Sequence, residues 1–89
     1  MKVTIELSLY PLKENYTQII IEFIKCLRRY NDIKVYSTAM STYVIGDYEQ
    51  TMKIVTDELK KVYVLIPDSS TVMKIIPKDL NIENGYLEF

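Results

Sequence analysis

At 89 residues, 48% hydrophobic and 26% charged, the chain has the balance of one small globular domain, which excludes a disordered chain and leaves no room for two domains. A formal charge of −1 and a pI near 5.4 weigh against nucleic acid as a partner. One cysteine, Cys26, and no histidine exclude an intramolecular disulfide, a cysteine metal cluster and the commonest general base.

Val3, Ile5, Leu7 and Leu9 alternate with Thr4, Glu6, Ser8 and Tyr10. This period of two predicts a half-buried strand, and Pro11, which cannot donate to a sheet, predicts its end. Asn15 followed by Gln18 has the spacing of a helix-capping box. Ile19, Ile20, Phe23, Ile24, Leu27 and Tyr30 then share one helical face, with Arg28 and Arg29 suited to the negative end of the helix dipole. The apolar run Ile19 to Leu27 is interrupted by Glu22 and Lys25 and is too short to span a bilayer. The N-terminus lacks the apolar core of a signal peptide, so a cytoplasmic location without membrane insertion is expected.

Ile33 to Thr38 reads as a second strand, with Ile33, Val35 and Ser37 on one face. Met40-Ser41 reads as a turn into a third strand, Ser41 to Ile45. Gly46 lets the backbone pass where a side chain would obstruct it, and Asp47 with Gln50 repeats the capping spacing. Tyr48, Met52, Val55, Leu59, Val62 and Ile66 form one helical stripe, ended by Pro67. The rival reading turns the β-rich Val62 to Ile66 into a strand. Thr71 to Ile76 is the last strand, apolar on both parities as if covered on both faces. The core is expected over about 2–77. In the tail, 78–89, Tyr86, Leu87 and Phe89 would either dock or add a short strand, a disordered end being the alternative.

Strand, helix, strand, strand, helix, strand predicts an α+β fold, a single ferredoxin-like βαββαβ domain over 1–89, with a four-stranded antiparallel sheet and two helices on one face. The other face would be open, presenting Thr4, Glu6, Ser8 and Tyr10 from the first strand.

No enzymatic constellation is present. The two glycines, Gly46 and Gly85, build no phosphate loop, and a Ser or Cys nucleophile has no histidine to activate it. Cys26 reads as a packed residue or a weakly exposed thiol. Eight tyrosines are many for this length, and Tyr30, Tyr36 and Tyr63 are expected to pack at edges with wet hydroxyls. Tyr10 and Tyr43 could instead line a pocket or an interface. Ser41 and Thr42 read either as turn hydroxyls bonded to local backbone or as partners for a small planar ligand. Parity puts Thr42 and Val44 on one face and Tyr43 and Ile45 on the other, without fixing which is covered.

Ser8-Leu9-Tyr10-Pro11-Leu12, followed by Met40 to Asp47, resembles the YkoF-like thiamine- and hydroxymethylpyrimidine-binding family and its single-domain relatives. Thr42 and Gly46 match a Thr-x-x-x-Gly signature, Tyr10-Pro11 matches the end of the first strand, and Tyr16 and Ile20 also fit. The likeness runs over roughly residues 3–76. This chain has one domain where YkoF itself resembles a tandem, so a homodimer or homotetramer would take the tandem's place. Ile45 stands where many relatives carry an acidic residue before the glycine, and a late Cys-Pro-Gly segment is missing.

The resemblance implies a binding protein, not an enzyme, acting in vitamin salvage or transport, with thiamine or hydroxymethylpyrimidine as ligand and no other cofactor or metal. Ser41 and Thr42 would supply hydrogen bonds, Tyr10, Met40 or Tyr43 a flat wall, and Glu6 a carboxylate for the thiazolium cation. The competing expectation is a regulatory or assembly module that oligomerises through the open sheet face without a vitamin ligand. RNA binding by sheet aromatics is a further alternative, disfavoured by the acidic pI.

Overall fold

The computed structural model describes residues 1–82, which form β1 (Lys2–Pro11), α1 (Tyr16–Arg28), β2 (Lys34–Ser37), β3 (Thr42–Asp47), α2 (Tyr48–Leu65) and β4 (Ser69–Ile76). All strand pairs are antiparallel and the sheet order is β2-β3-β1-β4. This is the ferredoxin-like βαββαβ arrangement that the sequence predicts. Val62 to Leu65 belong to α2, so the rival strand reading fails. The expected tail residues Tyr86, Leu87 and Phe89 lie outside the described residues. Among the described residues, no helix is long and apolar enough to cross a membrane.

The apolar parity of β1 faces the helices. Val3, Ile5, Leu7 and Leu9 are buried there with Val44, Phe23, Leu27, Ile33, Ile54, Val55 and Leu59. Cross-strand register settles the parity of β3: Leu7 opposes Thr42 and Ile5 opposes Val44, so both β3 residues face the helices. Tyr43 and Ile45 share the opposite face with Glu6 and Thr4.

Neither capping box forms. Asn15 takes the left-handed conformation (φ 63°) and Asp47 an extended one, and neither side chain caps its helix. Asp47 instead pairs with Lys2 at 3.3 Å, and Gln50 reaches Asp32 at 2.8 Å. Gly46 is required for a close approach rather than for a positive φ. A Cβ there would collide with the Thr51 hydroxyl and press on Ile33 and the Asp32 carbonyl.

The open face is not open along its whole length. After Pro77 the chain folds back across it. Thr4 Oγ1 donates to the Lys78 carbonyl at 2.8 Å and accepts from the Leu80 amide at 3.1 Å. Thr4 is consequently 1% exposed and Ile45 3%, although both lie on the face away from the helices. β4 departs from expectation in the other direction. It is an edge strand, and Val72, Ile75 and Ile76 are exposed rather than covered on both sides.

Helix α2 turns most of its expected stripe inward: Val55, Leu59 and Ile66 are buried and Met52 and Val62 pack against the core, whereas Tyr48 is exposed. Thr51, Ile54 and Glu58 are buried beside them. The buried Glu58 carboxylate is met by the hydroxyl of the half-buried Tyr30. Tyr63 likewise bonds the Thr71 hydroxyl.

Candidate functional site

The register of β1 creates a cavity at one end of the sheet. β1 pairs with β3 only as far as Leu7↔Thr42, but continues beside β4 to Pro11↔Ser69. Beyond Leu7, the place next to β1 is taken by the β2–β3 turn. With β4 as its only ladder partner there, β1 tolerates Pro11. The gap between this strand end, the turn and the first two turns of α1 measures about 240 Å³. Its walls include Tyr10, Tyr16, Ile20, Thr38, Met40 and Thr42, with Ser41 at the rim of the turn.

The turn is self-bonded. The Thr38 amide donates to the Ser41 carbonyl at 2.9 Å, and Thr38 Oγ1 accepts from the amides of Met40 and Ser41, both at 3.1 Å. Ser8 Oγ ties the turn to β1 by donating to the Met40 carbonyl at 3.3 Å. These bonds fix a wall that mixes hydroxyls with apolar side chains. Thr42 is 6% exposed and forms part of that wall, whereas Met40 is 85% exposed at its mouth.

Four of the residues singled out from the sequence, Tyr10, Met40, Ser41 and Thr42, therefore meet at one cavity. Glu6 and Tyr43 do not. They oppose one another on the far face of the sheet, where Tyr43 donates its hydroxyl to Glu6 Oε2 at 2.7 Å. Ser41 Oγ donates to the same oxygen at 3.2 Å, and Lys74 lies 3.5 Å from Oε1. The Tyr43 hydrogen bond, opposed by partial burial and assisted by Ser41 and Lys74, holds the Glu6 carboxyl below its ordinary value. Tyr16, Ile20 and Thr38 complete the cavity. The first two were visible as a spacing: Tyr16, Ile20 and Ile24 extend the apolar stripe of α1 one turn towards its N-terminus.

A second concavity of about 290 Å³ lies between the helices, lined by Ile19, Phe23, Cys26, Val62, Leu65 and Ile66 among others. Its walls are almost wholly apolar. At its base Glu58 Oε2 accepts from Tyr30 at 2.8 Å and from Lys61 at 2.9 Å. Burial pushes the Glu58 carboxyl up, but the bonds from Lys61 and Tyr30 outweigh it and the net direction is down. A polar heteroaromatic ligand needs donors and acceptors placed around a flat wall; the sheet-end cavity offers hydroxyls beside tyrosines, whereas the polar side chains of the interhelical groove, Gln18, Glu22, Glu58 and Lys61, are bonded to one another in pairs. Among the described residues, no group of three His, Cys, Asp or Glu side chains is placed to hold a metal.

No family model and no curated protein matches the chain. Solved structures do. A protein from Thermotoga maritima, described as a proposed thiamine biosynthesis/salvage protein, superposes with a TM-score of 0.76 at 20% identity, over 88% of this chain and 85% of that one. A protein from Streptococcus pneumoniae gives 0.75 at 21% identity over 96% and 97%. A hypothetical protein from Methanocaldococcus jannascii gives 0.74 at 24% identity over 88% and 81%. At these identities the shared property is the fold: the chain has the ferredoxin-like fold of these three proteins over most of their length.

Proposed function

We propose that this chain is a non-catalytic binding protein for the hydroxymethylpyrimidine portion of thiamine, serving vitamin salvage or transport. The observation that carries the reading is the convergence of Tyr10, Tyr16, Thr38 and Thr42 on the cavity at the end of β1, where Thr42 belongs to the Thr-x-x-x-Gly signature and Tyr10 and Tyr16 to the wider resemblance. The description of the Thermotoga neighbour points the same way. A volume of about 240 Å³ falls below the roughly 300 Å³ at which sites for drug-sized ligands begin, which favours the pyrimidine half over the whole vitamin. An aminopyrimidine offers both donors and acceptors, matching hydroxyls that can act as either. With Glu6 on the opposite face, no carboxylate among the described residues lines the cavity to meet the thiazolium cation.

Calorimetric titration with hydroxymethylpyrimidine and, separately, thiamine tests the reading. Saturable binding of the pyrimidine, weakened about tenfold by Thr42→Ala, is expected, as for loss of one hydrogen bond in a confined site. No heat and no thermal shift with either ligand, from a folded sample, would overturn it.

The open part of the sheet favours a second, compatible role in self-assembly. Val72 is 55% and Tyr10 52% exposed there, beside an unpaired β4 edge. Sedimentation of the chain and of Val72→Lys checks it: a dimer or tetramer that the charge dissociates supports assembly through this face, and a monomer in both samples rejects it.

A further inference from the structure

The two sides of the sheet are joined at one residue. Met40 and Thr42 line the cavity, while the Ser41 side chain between them reaches the Glu6 carboxylate on the other face, at 3.2 Å. The Ser41 backbone is also the closing point of the turn, because its carbonyl accepts from both the amide and the hydroxyl of Thr38, at 2.9 and 3.2 Å. A side-chain bond on one face thus fixes the residue whose backbone sets the wall on the other.

We propose that Glu6 is a positioning residue for the ligand cavity, acting from the opposite face of the sheet by holding Ser41 and with it the turn 38–41. This rests on the cavity being the ligand site, as proposed above. Glu6 is suited to the task because it is anchored independently of the turn. Tyr43 bonds the same oxygen at 2.7 Å, and Lys74 faces the other oxygen at 3.5 Å. Its place in the middle of β1, between β3 and β4, keeps its backbone fixed. The acceptor is therefore anchored apart from the turn that it holds. A charged acceptor also makes the stronger kind of hydrogen bond.

Glu6→Ala, Glu6→Gln, Ser41→Ala, the double variant Glu6→Ala/Ser41→Ala and Lys74→Ala test the proposal by two readouts. The first needs no ligand: amide hydrogen exchange at Thr38, whose N–H closes the turn, with Val55 in the core reporting that the fold is intact. Glu6→Ala is expected to speed Thr38 exchange about fivefold, the worth of one ordinary hydrogen bond, and to weaken hydroxymethylpyrimidine binding by a similar factor. Glu6→Gln keeps an acceptor oxygen and should recover most of both. Ser41→Ala should match Glu6→Ala, with the double variant no worse than either. Lys74→Ala removes the ion pair at Oε1 but leaves the Tyr43 and Ser41 bonds to Oε2, so it should loosen the turn less than Glu6→Ala does.

Thr38 exchange unaltered by Glu6→Ala in a folded chain would overturn the proposal. So would additive effects of Glu6→Ala and Ser41→Ala, or a loosened turn with unchanged ligand affinity. If the unaltered chain binds no pyrimidine, the functional reading fails separately, and the exchange data still decide whether Glu6 holds the turn.

Discussion

Tyr30 donates its hydroxyl to Glu58 Oε2 at 2.8 Å, so the chain just beyond α1 is fastened to a carboxylate buried on the inner side of α2. Lys61 reaches the same oxygen from the rim of the interhelical groove at 2.9 Å. A buried carboxylate is tolerated only when its charge is met, and here two donors meet it. Tyr30→Phe removes one of them. The expected cost is about 1–3 kcal/mol, read as a lower urea midpoint with an unchanged slope.

The same pair gives stability a pH dependence at both ends. The folded Glu58 carboxyl lies below its ordinary value, so its contribution is complete above the unfolded value of about 4.3 and is lost as pH falls through the lower folded value. Glu58, first by its hydrogen bond and then through burial and charge, raises the Tyr30 phenol. That contribution is present below about pH 10 and is lost as pH rises through the raised value. Denaturant titrations between pH 2 and 5 and above pH 9 should show both losses in the unaltered chain. Glu58→Gln should have a smaller acid loss, the part due to Glu6 remaining, and a weaker alkaline one.

Gly46 and Thr51 should couple strongly. Gly46→Ala places a methyl group on the Thr51 hydroxyl and is expected to cost about 1–3 kcal/mol through overpacking. Thr51 Oγ1 is buried without a hydrogen-bond partner among the described residues. Thr51→Val keeps the shape and removes that polar atom, and should be neutral or stabilising by up to about 1 kcal/mol. Thr51→Ala should recover part of the Gly46→Ala loss in a double-mutant cycle measured by chemical denaturation. Strictly additive effects would contradict the close approach.

Thr4→Val tests the covering of the sheet by the segment after Pro77. The substitution removes the hydroxyl that binds both the Lys78 carbonyl and the Leu80 amide, while keeping the volume. Faster exchange of the Leu80 amide is expected, together with a loss of about 1–2 kcal/mol. Thr4→Ser, which keeps the hydroxyl, should behave close to the unaltered chain.

The element order was legible because apolar spacing distinguishes strand from helix along most of this chain. Val3 to Leu9 and Ile19 to Leu27 each carry one period without conflict. The covered face of β3 was not legible, because Thr42-Tyr43-Val44-Ile45 is β-suited on both parities and only pairing with β1 decides between them. Glu58 was passed over because a carboxylate in a helical stripe reads as solvent-facing until its partners are known. Those partners, Tyr30 and Lys61, come from beyond the end of α1 and from the next turn of α2. The capping spacings misled because Asp47 and Gln50 found longer-range partners in Lys2 and Asp32. For the cavity, Tyr10, Met40, Ser41 and Thr42 were identifiable as residue types, whereas the separation of Glu6 and Tyr43 from them required the register. Thr4 was expected on an open strip, and nothing in the local pattern around it signals the chain that returns from residue 78.

The place of β1 in the sheet also sets an order of events during synthesis. Of the four strands it leaves the ribosome first, yet it lies between β3 and β4, and its pairing with β4 joins residues 4–11 to residues 69–76. Both helices and the β2–β3 hairpin can form from neighbouring residues, while the last strand must emerge before β1 has both neighbours. Such distant pairing slows folding and leaves a nascent chain with one edge of an apolar strand unpaired. Fragments ending before Ser69 should therefore be captured by chaperones, and release of the folded sheet should coincide with the arrival of β4.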